Sequence, residues 1–373
     1  MVLLKKKVER NQIFNYLYAL AIMMVIDDHM STRIGFLSSI FPYNSFYMPL
    51  FVFISGYFYK KRGVLENIKH KVKKLLIPYL IWNVVAALLA VLLDHTLGID
   101  WIKKVSIKDG LIKIFTTGSL TSLNGAAWFV IMLFWVSIIY SLINFKLKDS
   151  KIIDIISTIF YTLLGFGSLY LCMKGYSSKS IWWLFGLKIS FYIQFFHLGY
   201  MFNKYIEKPL SEYNKLIVCG ICVLINVVLI CIYGDNINFI ATSSMRYFNS
   251  WYLPLITSVT GIIFYYELMS FLSSKIGQNK VIDFISRNTF TILETHLLFL
   301  NIPNFYIYLK IKAGSTLYKD FVVNNFVNGA WVRYSPNTRL MGFILGLVGS
   351  LLIAFLFEKI KGTKMYKKVL KLE

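Results

Sequence analysis

The chain has 373 residues, of which 57% are hydrophobic and 16% charged, and its mean hydropathy is +0.60. A soluble domain is about 45–50% apolar and about 25% charged, so this composition excludes a soluble globular protein. The formal charge of +22 does not indicate a nucleic-acid partner, because the basic residues lie mainly in short connections between apolar runs and form no compact basic domain.

Apolar runs of about 20 residues recur along the chain and predict an all-α integral membrane protein, a polytopic bundle of about ten transmembrane helices. The spans are expected near residues 12–32, 44–60, 75–95, 126–146, 152–173, 181–203, 215–234, 250–272, 281–301 and 339–358. No soluble domain or linker separates them, so residues 1–373 are predicted to form a single transmembrane domain. Basic residues precede the first span and follow every even-numbered span, which predicts that both termini are cytoplasmic.

The first apolar run ends in the polar group Asp27, Asp28 and His29, with Arg33 one turn further on. The predicted orientation places this group near the outer face of the membrane. Ionisable residues are rare in membrane segments and are functional candidates by default. A neutral imidazole can take a proton from a hydroxyl near physiological pH, so His29 is a candidate general base. The alternative is a polar residue at a helix end in the headgroup region.

The acid that orients His29 is left open by the sequence. Adjacent helical residues do not face each other, so Asp28 can serve only if the helix ends here and the backbone turns. The other candidate is Glu294, which lies with His296 in the outer half of the predicted ninth span and therefore at a similar depth. If the first helix continued, Arg33 would lie at i+4 from His29 and could hold an anionic group.

The second predicted span contains Pro49 and the pair Ser55-Gly56. Proline predicts a kink, and the small residues predict a close approach by a neighbouring helix. A catalytic role for Ser55 is the alternative, but nothing like a nucleophile elbow surrounds it. We interpret this pair as a packing position.

Basic and aromatic residues mark the next two spans. Lys71 and Lys74 lie at the cytoplasmic mouth of the third span, where ammonium groups can bind phosphates or anionic headgroups, or can simply orient the chain. Trp128 opens the fourth span from the outside, as a site residue or as part of an interfacial belt.

Two outer segments, 96–124 and 302–338, are long for simple connections and rich in aromatic residues such as Trp101, Phe305 and Phe326. Long ordered loops are often functional. We therefore expect either a cover that stacks on sugars or an aromatic belt at the interface. No metal site is predicted, because the four cysteines lie in apolar runs without clustered His.

Taken together, these stretches resemble the membrane acyltransferase-3 family, whose members O-acylate cell-surface polysaccharides. The segment RNQIFNYLYALAIMMVIDDH, from Arg10 to His29, is similar to the family's opening run that ends in His. YMPLFVFISGYF is similar to its Ser-Gly stretch, and Lys71-x-x-Lys74-LLIPY to its paired basic residues followed by Pro. AAWFVIML and NTFTILETH match later elements, in the same order over nearly the whole chain.

The resemblance implies an O-acyltransferase that uses acetyl-CoA or another acyl-CoA as donor substrate and has no permanently bound cofactor. The acceptor is a hydroxyl of a cell-surface polysaccharide or lipid-linked glycan, and the location is the bacterial plasma membrane, among membrane lipids. The hypothesis assigns catalysis to His29, Asp28 and Glu294, donor binding to Arg10, Arg62, Lys71 and Lys74, and acceptor binding to Asp27, Arg33, Trp128 and His296. The alternative is a flippase or transporter for lipid-linked sugars, and a glycan polymerase is a third possibility. The sequence does not predict the oligomeric state.

Two positions depart from the family's pattern. Tyr18 stands eleven positions before His29, where the family usually has a basic residue, and Asn15 stands where an acid is usual. If the basic residue handles the acyl donor in the family, this chain uses other cations or differs in its donor.

Overall fold

A computed structural model of the chain describes residues 2–30, 37–102, 105–234, 244–246, 249–329 and 339–362, with the backbone alone at 2–11, 43–45, 339 and 361–362. Within these ranges the fold is helical throughout, and no β-sheet is present. The helices are α1 (Val2–Asp28), α2 (Tyr43–Tyr57), α3 (Val64–Lys71), α4 (Ile77–Leu97), α5 (Ile107–Thr116), α6 (Trp128–Asn144), α7 (Lys151–Met173), α8 (Ile181–Met201), α9 (Glu207–Leu210), α10 (Lys215–Tyr233), α11 (Leu253–Ile276), α12 (Lys280–Arg287), α13 (Thr289–Leu300), α14 (Ile302–Lys312), α15 (Val323–Asn328) and α16 (Arg339–Gly362). Single π-helical turns join α3 to α4 and α8 to α9.

Six of the described helices are long and apolar enough to cross a membrane. They are Val64–Leu97, Gly125–Asn144, Lys151–Met173, Lys215–Tyr233, Leu253–Ile276 and Leu340–Ile360. The prediction of an all-α chain with several spans is confirmed. The count of ten spans and the cytoplasmic termini stay predictions.

The predicted ninth span is two helices. α12 and α13 meet at Asn288, whose φ of −107° and ψ of 13° are not helical. The Asn288 side chain donates to the Phe284 carbonyl (2.9 Å) and to Glu358 of α16 (3.1 Å). Non-helical backbone at membrane depth is tolerated where protein surrounds it. Since α1 packs along both α12 and α13, the break lies inside the bundle.

Helices α2 and α8 approach each other closely at two glycines. A methyl group on Gly56 would overlap the Phe196 carbonyl, and one on Gly199 would overlap the Phe53 carbonyl. The absence of both side chains lets the two backbones touch. The Ser55 hydroxyl donates within its own helix, to Phe51 O at 2.9 Å. The interpretation of this stretch as a packing position is confirmed for Gly56.

The two long outer segments pack on each other in a second, smaller hydrophobic core. Trp101 is buried, donates from Nε1 to Phe326 O (2.7 Å), and lies 5.2 Å from the ring of Phe305. Tyr308 donates to Leu97 O at 2.7 Å. Neither expectation holds for Trp101 and Phe326, because their rings pack on each other, 5.3 Å apart, within this second core.

Candidate functional site

α1 ends where the sequence places its polar group. The helix stops at Asp28, and the amide of Met30 donates to Asp27 O (3.0 Å), so His29 lies in a turn. His29 itself is therefore not part of the helix. Arg33 itself lies outside the described residues. We call this side of the bundle the His29 end.

His29 and His296 come together from separate helices. Their ring centroids are 5.1 Å apart and the planes are inclined by 22°, which is a stacked arrangement. His296 is fully buried, and its Nδ1 lies 2.9 Å from the carbonyl of Ile292. A carbonyl can only accept, so Nδ1 of His296 carries a proton and donates it in this hydrogen bond.

The two acids beside His29 have different surroundings. Asp27 is fully buried, whereas Asp28 is half-buried and accepts a hydrogen bond from the Tyr47 hydroxyl of α2 at 3.1 Å. This bond ties the carboxylate of Asp28, the residue that precedes the candidate base in the chain, to α2. Among the described residues, no group of three His, Cys, Asp or Glu side chains could hold a metal ion.

Glu294 faces a different neighbour. It is two residues before His296 on α13, so the two side chains point about 200° apart around the helix axis. The Glu294 carboxylate lies beside Asn124 and within electrostatic range of Tyr79. Neither of its oxygens has a hydrogen-bond partner in the described part of the chain. The structure therefore places the ring of His296, rather than the carboxylate of Glu294, against His29.

The segment between α5 and α6 contains Asn124, the neighbour of Glu294, and leads into Trp128, the first residue of α6. The Tyr79 hydroxyl lies 2.6 Å from the Gly118 carbonyl, and the Thr121 hydroxyl donates to Asn124 Oδ1 at 2.9 Å. Gly118 has a φ of +99°, and a Cβ there would overlap the backbone of Trp128. Only glycine meets both requirements, so Gly118 fixes where α6 begins.

Sequence reasoning missed Lys188, in α8. This side chain is 1% exposed, and its Nζ lies 5.0 Å from the centroid of the Trp128 ring. Nζ has no hydrogen-bond partner among the described residues. The available signal was a single Lys within the apolar run WWLFGLKISFYIQ. An isolated ionisable residue in such a run is a functional candidate by default.

The predicted donor residues gather at the opposite end, where α3 leads into α4. Lys71 is half-buried and Lys74 is exposed, on either side of the start of the π-helical turn Val72–Leu76. Arg62 lies within electrostatic range of Lys71 and 3.8 Å from Glu66. Single π-helical turns often occur at functional sites. Arg10 belongs to α1, but its side chain is outside the described set.

A cavity of about 210 Å³ lies between these two ends. Leu75, next to Lys74, and Leu293, next to Glu294, both contribute to its wall. Tyr18 lines it as well, at the position where the resemblance led us to expect a cation. The remaining lining residues are Ile22, Phe51, Ser55, Phe129, Val130, Leu133, Thr289 and Phe290.

Asn15, the second departure from the family's pattern, has a structural role. Its Nδ2 donates to Asp283 Oδ1 (2.8 Å), and its Oδ1 accepts from the Ser286 hydroxyl (3.1 Å). Both partners belong to α12, so this side chain joins α1 to the first half of the broken helix. An amide can donate to Asp283 where a second carboxylate would repel it.

Comparison with curated proteins and with solved structures gave no match. A family model described as an acyltransferase domain matches residues 11–359, which include the end of α1, the Lys71 turn and all of α13. The match extends over nearly the whole helical bundle, including its membrane-spanning helices, so this multi-pass membrane protein belongs to the acyltransferase-3 family.

Proposed function

We propose that this acyltransferase moves an acetyl group from cytoplasmic acetyl-CoA to a hydroxyl of a cell-surface polysaccharide or lipid-linked glycan, in the plasma membrane of a bacterium. Acyl transfer follows from the family; the donor, the acceptor and the location are our proposals. The observation that supports them most is the stacked pair of His29 and His296 beside Asp27 and Asp28.

In this proposal His29 acts as general base. It takes the proton of the acceptor hydroxyl while the hydroxyl oxygen bonds to the thioester carbonyl carbon. The carbon–sulfur bond then breaks, and the CoA sulfur takes the proton back from His29. Asp28, held by Tyr47, stabilises the positive charge that His29 carries in between. A positioned base of this kind contributes about 10²–10⁴-fold to the rate.

The donor would bind at the opposite end. Arg62, Lys71 and Lys74, with Arg10 of α1, supply the cations that the phosphates of CoA require. The cavity between the two ends takes the acyl end of the donor, and its largely apolar wall suits a short acyl chain. In this arrangement Tyr18 lines the acyl path and leaves phosphate binding to the other basic residues.

The acceptor would bind at the His29 end. Trp128 provides an aromatic face for a sugar ring, and Glu294 accepts hydrogen bonds from sugar hydroxyls. The two carboxylate oxygens of Glu294 are buried beside the Asn124 amide but form no hydrogen bond within the described ranges, so a polyhydroxylated ligand would satisfy them. Asp27, Arg33 and His296 complete this proposed subsite.

Labelled acetyl-CoA tests the proposal in vesicles containing the purified protein and candidate glycans. We expect His29→Ala to lower label transfer by at least about 100-fold while the protein remains folded. His95→Ala is the matched control, because His95 is exposed on α4 and should leave transfer unchanged. Full transfer by a folded His29→Ala protein would contradict the mechanism. Movement of a lipid-linked sugar without label would favour the flippase alternative instead.

A further inference from the structure

Lys188 is a buried cation to which the proposed acyl transfer assigns no role. It lies in the eighth position of α8 and is 1% exposed, in a helix whose neighbours are α2, α6 and α7. Burying an ammonium group is costly unless a counter-charge and hydrogen bonds compensate. No hydrogen-bond acceptor for Nζ is present in the described part of the chain.

What holds Lys188 in place is the indole of Trp128. The 5.0 Å separation between Nζ and the centroid of the Trp128 ring is a cation–π contact. The ring of Tyr192 also packs on Trp128, with 6.1 Å between the ring centroids. This contact orients the ammonium group but brings no negative charge to it. A buried amine held over an aromatic face, with no acceptor among the described residues, is suited to bind an anion, whose charge would stabilise the protonated amine.

The location of Lys188 ties it to the candidate acceptor region. Contacts of Trp128 with Lys188 and of Tyr140 with His197 show that α6 and α8 run in the same direction. Trp128 follows directly on the turn Gly125–Ala127, which packs against α13, the helix of Glu294. Two buried ionisable groups of opposite sign, each without a hydrogen-bond partner among the described residues, thus flank one short segment.

We propose that Lys188 and Trp128 form a subsite for an anionic substituent of the acceptor, a carboxylate or a phosphate on the glycan. The proposal rests on the proposed function and specifies its substrate as an acidic glycan. The anion binds the Lys188 ammonium, and the sugar that bears it packs on Trp128. Glu294, on the other side of the segment, accepts from hydroxyls of the same glycan.

A purely structural role for Lys188 predicts a different result from a binding role. If the ammonium group stabilised the helix packing, Lys188→Met would unfold at a lower temperature. If it awaits a ligand, Met fills the same space without a charge, and the ligand-free variant is as stable as the wild type or more so.

The experiment measures ligand-induced stabilisation of the purified full chain, without any acyl donor. The probes are an oligosaccharide containing uronic acid, a phosphodiester-containing oligosaccharide and a neutral oligosaccharide of equal length. We expect one acidic probe to bind and the neutral one not to, and the identity of that probe distinguishes a carboxylate from a phosphate. Lys188→Met should raise its dissociation constant by about 10- to 100-fold.

Lys179→Met is the matched control. Lys179 also lies over an aromatic ring, 3.6 Å from the Tyr176 centroid, but it is exposed, so its loss should leave binding unchanged. Wild-type binding by Lys188→Met, binding of neither acidic probe, or a lower unfolding temperature of the ligand-free variant would each overturn the subsite. Because the binding assay contains no acyl donor and does not measure transfer, failure of acyl transfer and failure of this subsite are distinguishable.

Discussion

Two buried glutamates differ in what surrounds them. Glu207, at the start of α9, is 6% exposed and accepts from the Tyr57 hydroxyl with both oxygens (3.0 Å) and from Tyr266 (2.9 Å). Glu294 is 4% exposed and has no hydrogen-bond partner within the described ranges. Burial is the same, so it does not separate a structural acid from a functional one. The supply of hydrogen-bond donors does, because a protein normally satisfies its buried polar atoms.

The lysines repeat this contrast. Lys204 bonds to Asp154 at 2.6 Å and also to Asp149, and the hydrogen bond from Lys204 holds the pKa of Asp149 below its ordinary value. Lys188 has no such acceptor among the described residues. In each pair, the residue that is hydrogen-bonded, Glu207 or Lys204, joins helices or loops. The residue without a hydrogen-bond partner among the described residues, Glu294 or Lys188, lies at the His29 end.

The largest effect is expected from Glu207→Ala, which would break the satisfied member of the glutamate pair. The hydroxyls of Tyr57 and Tyr266 would lose their common acceptor, at about 1–3 kcal/mol each. We therefore expect the free energy of unfolding to fall by about 2–6 kcal/mol, measured by denaturation in detergent. Adding Tyr57→Phe and Tyr266→Phe to Glu207→Leu should recover much of this loss, and wild-type stability of Glu207→Ala would contradict the structural role.

Glu294→Gln should have the opposite pattern. The amide keeps the shape of the side chain but weakens its hydrogen bonds to a substrate, which we expect to lower label transfer by about 30- to 100-fold. The unfolding transition should stay unchanged or rise, since the buried carboxyl group makes no hydrogen bond within the described ranges that the substitution could break. Label transfer and unfolding are measured for Glu294→Gln and for Glu207→Gln, because the first variant should lose transfer and the second should lose stability. A stability loss as large as that of the Glu207 variant would contradict it.

Tyr47→Phe should have the smallest effect. It removes one hydrogen bond to Asp28 and leaves the ring in place, so we expect a loss of about 1 kcal/mol, or up to about tenfold in kcat/KM. The control is Tyr233→Phe, whose hydroxyl bonds only to Tyr252 among the described contacts and should leave the reaction unaffected. Equal losses in both variants would mean that the effect is not transmitted through Asp28.

The sequence predicted the parts of the site that depend on depth along single helices. His29 and His296 were expected at similar depth from span direction alone, and the structure stacks their rings. It could not decide between Asp28 and Glu294 as neighbours of His29, because the rotation of α13 about its axis depends on packing. The break at Asn288 was also missed, since the polar stretch SRNT at 286–289 is short and the hydropathy averaged over a whole span does not reveal it.

Contacts between distant helices were beyond sequence reasoning. Tyr57 and Glu207 are 150 positions apart, and nothing in either stretch indicates the other. Lys188 and Trp128 are a similar case, because they lie on different helices, α8 and α6, with all of α7 between them in the chain. The aromatic residues of the outer segments could not be recognised as a core either, because composition does not reveal that two loops fold on each other.

The close approach of α2 and α8 at Gly56 and Gly199 has a mechanical consequence. At these two positions backbone lies against backbone with no side chain between to rearrange, so α8 supports α2, whose Phe51 and Ser55 border the cavity. On the other side of the cavity the helices are interrupted at two places, the π-helical turn that contains Leu75 and the break just before Thr289. We expect the passage of substrate to widen the cavity on that side, with α2 and α8 as the fixed frame.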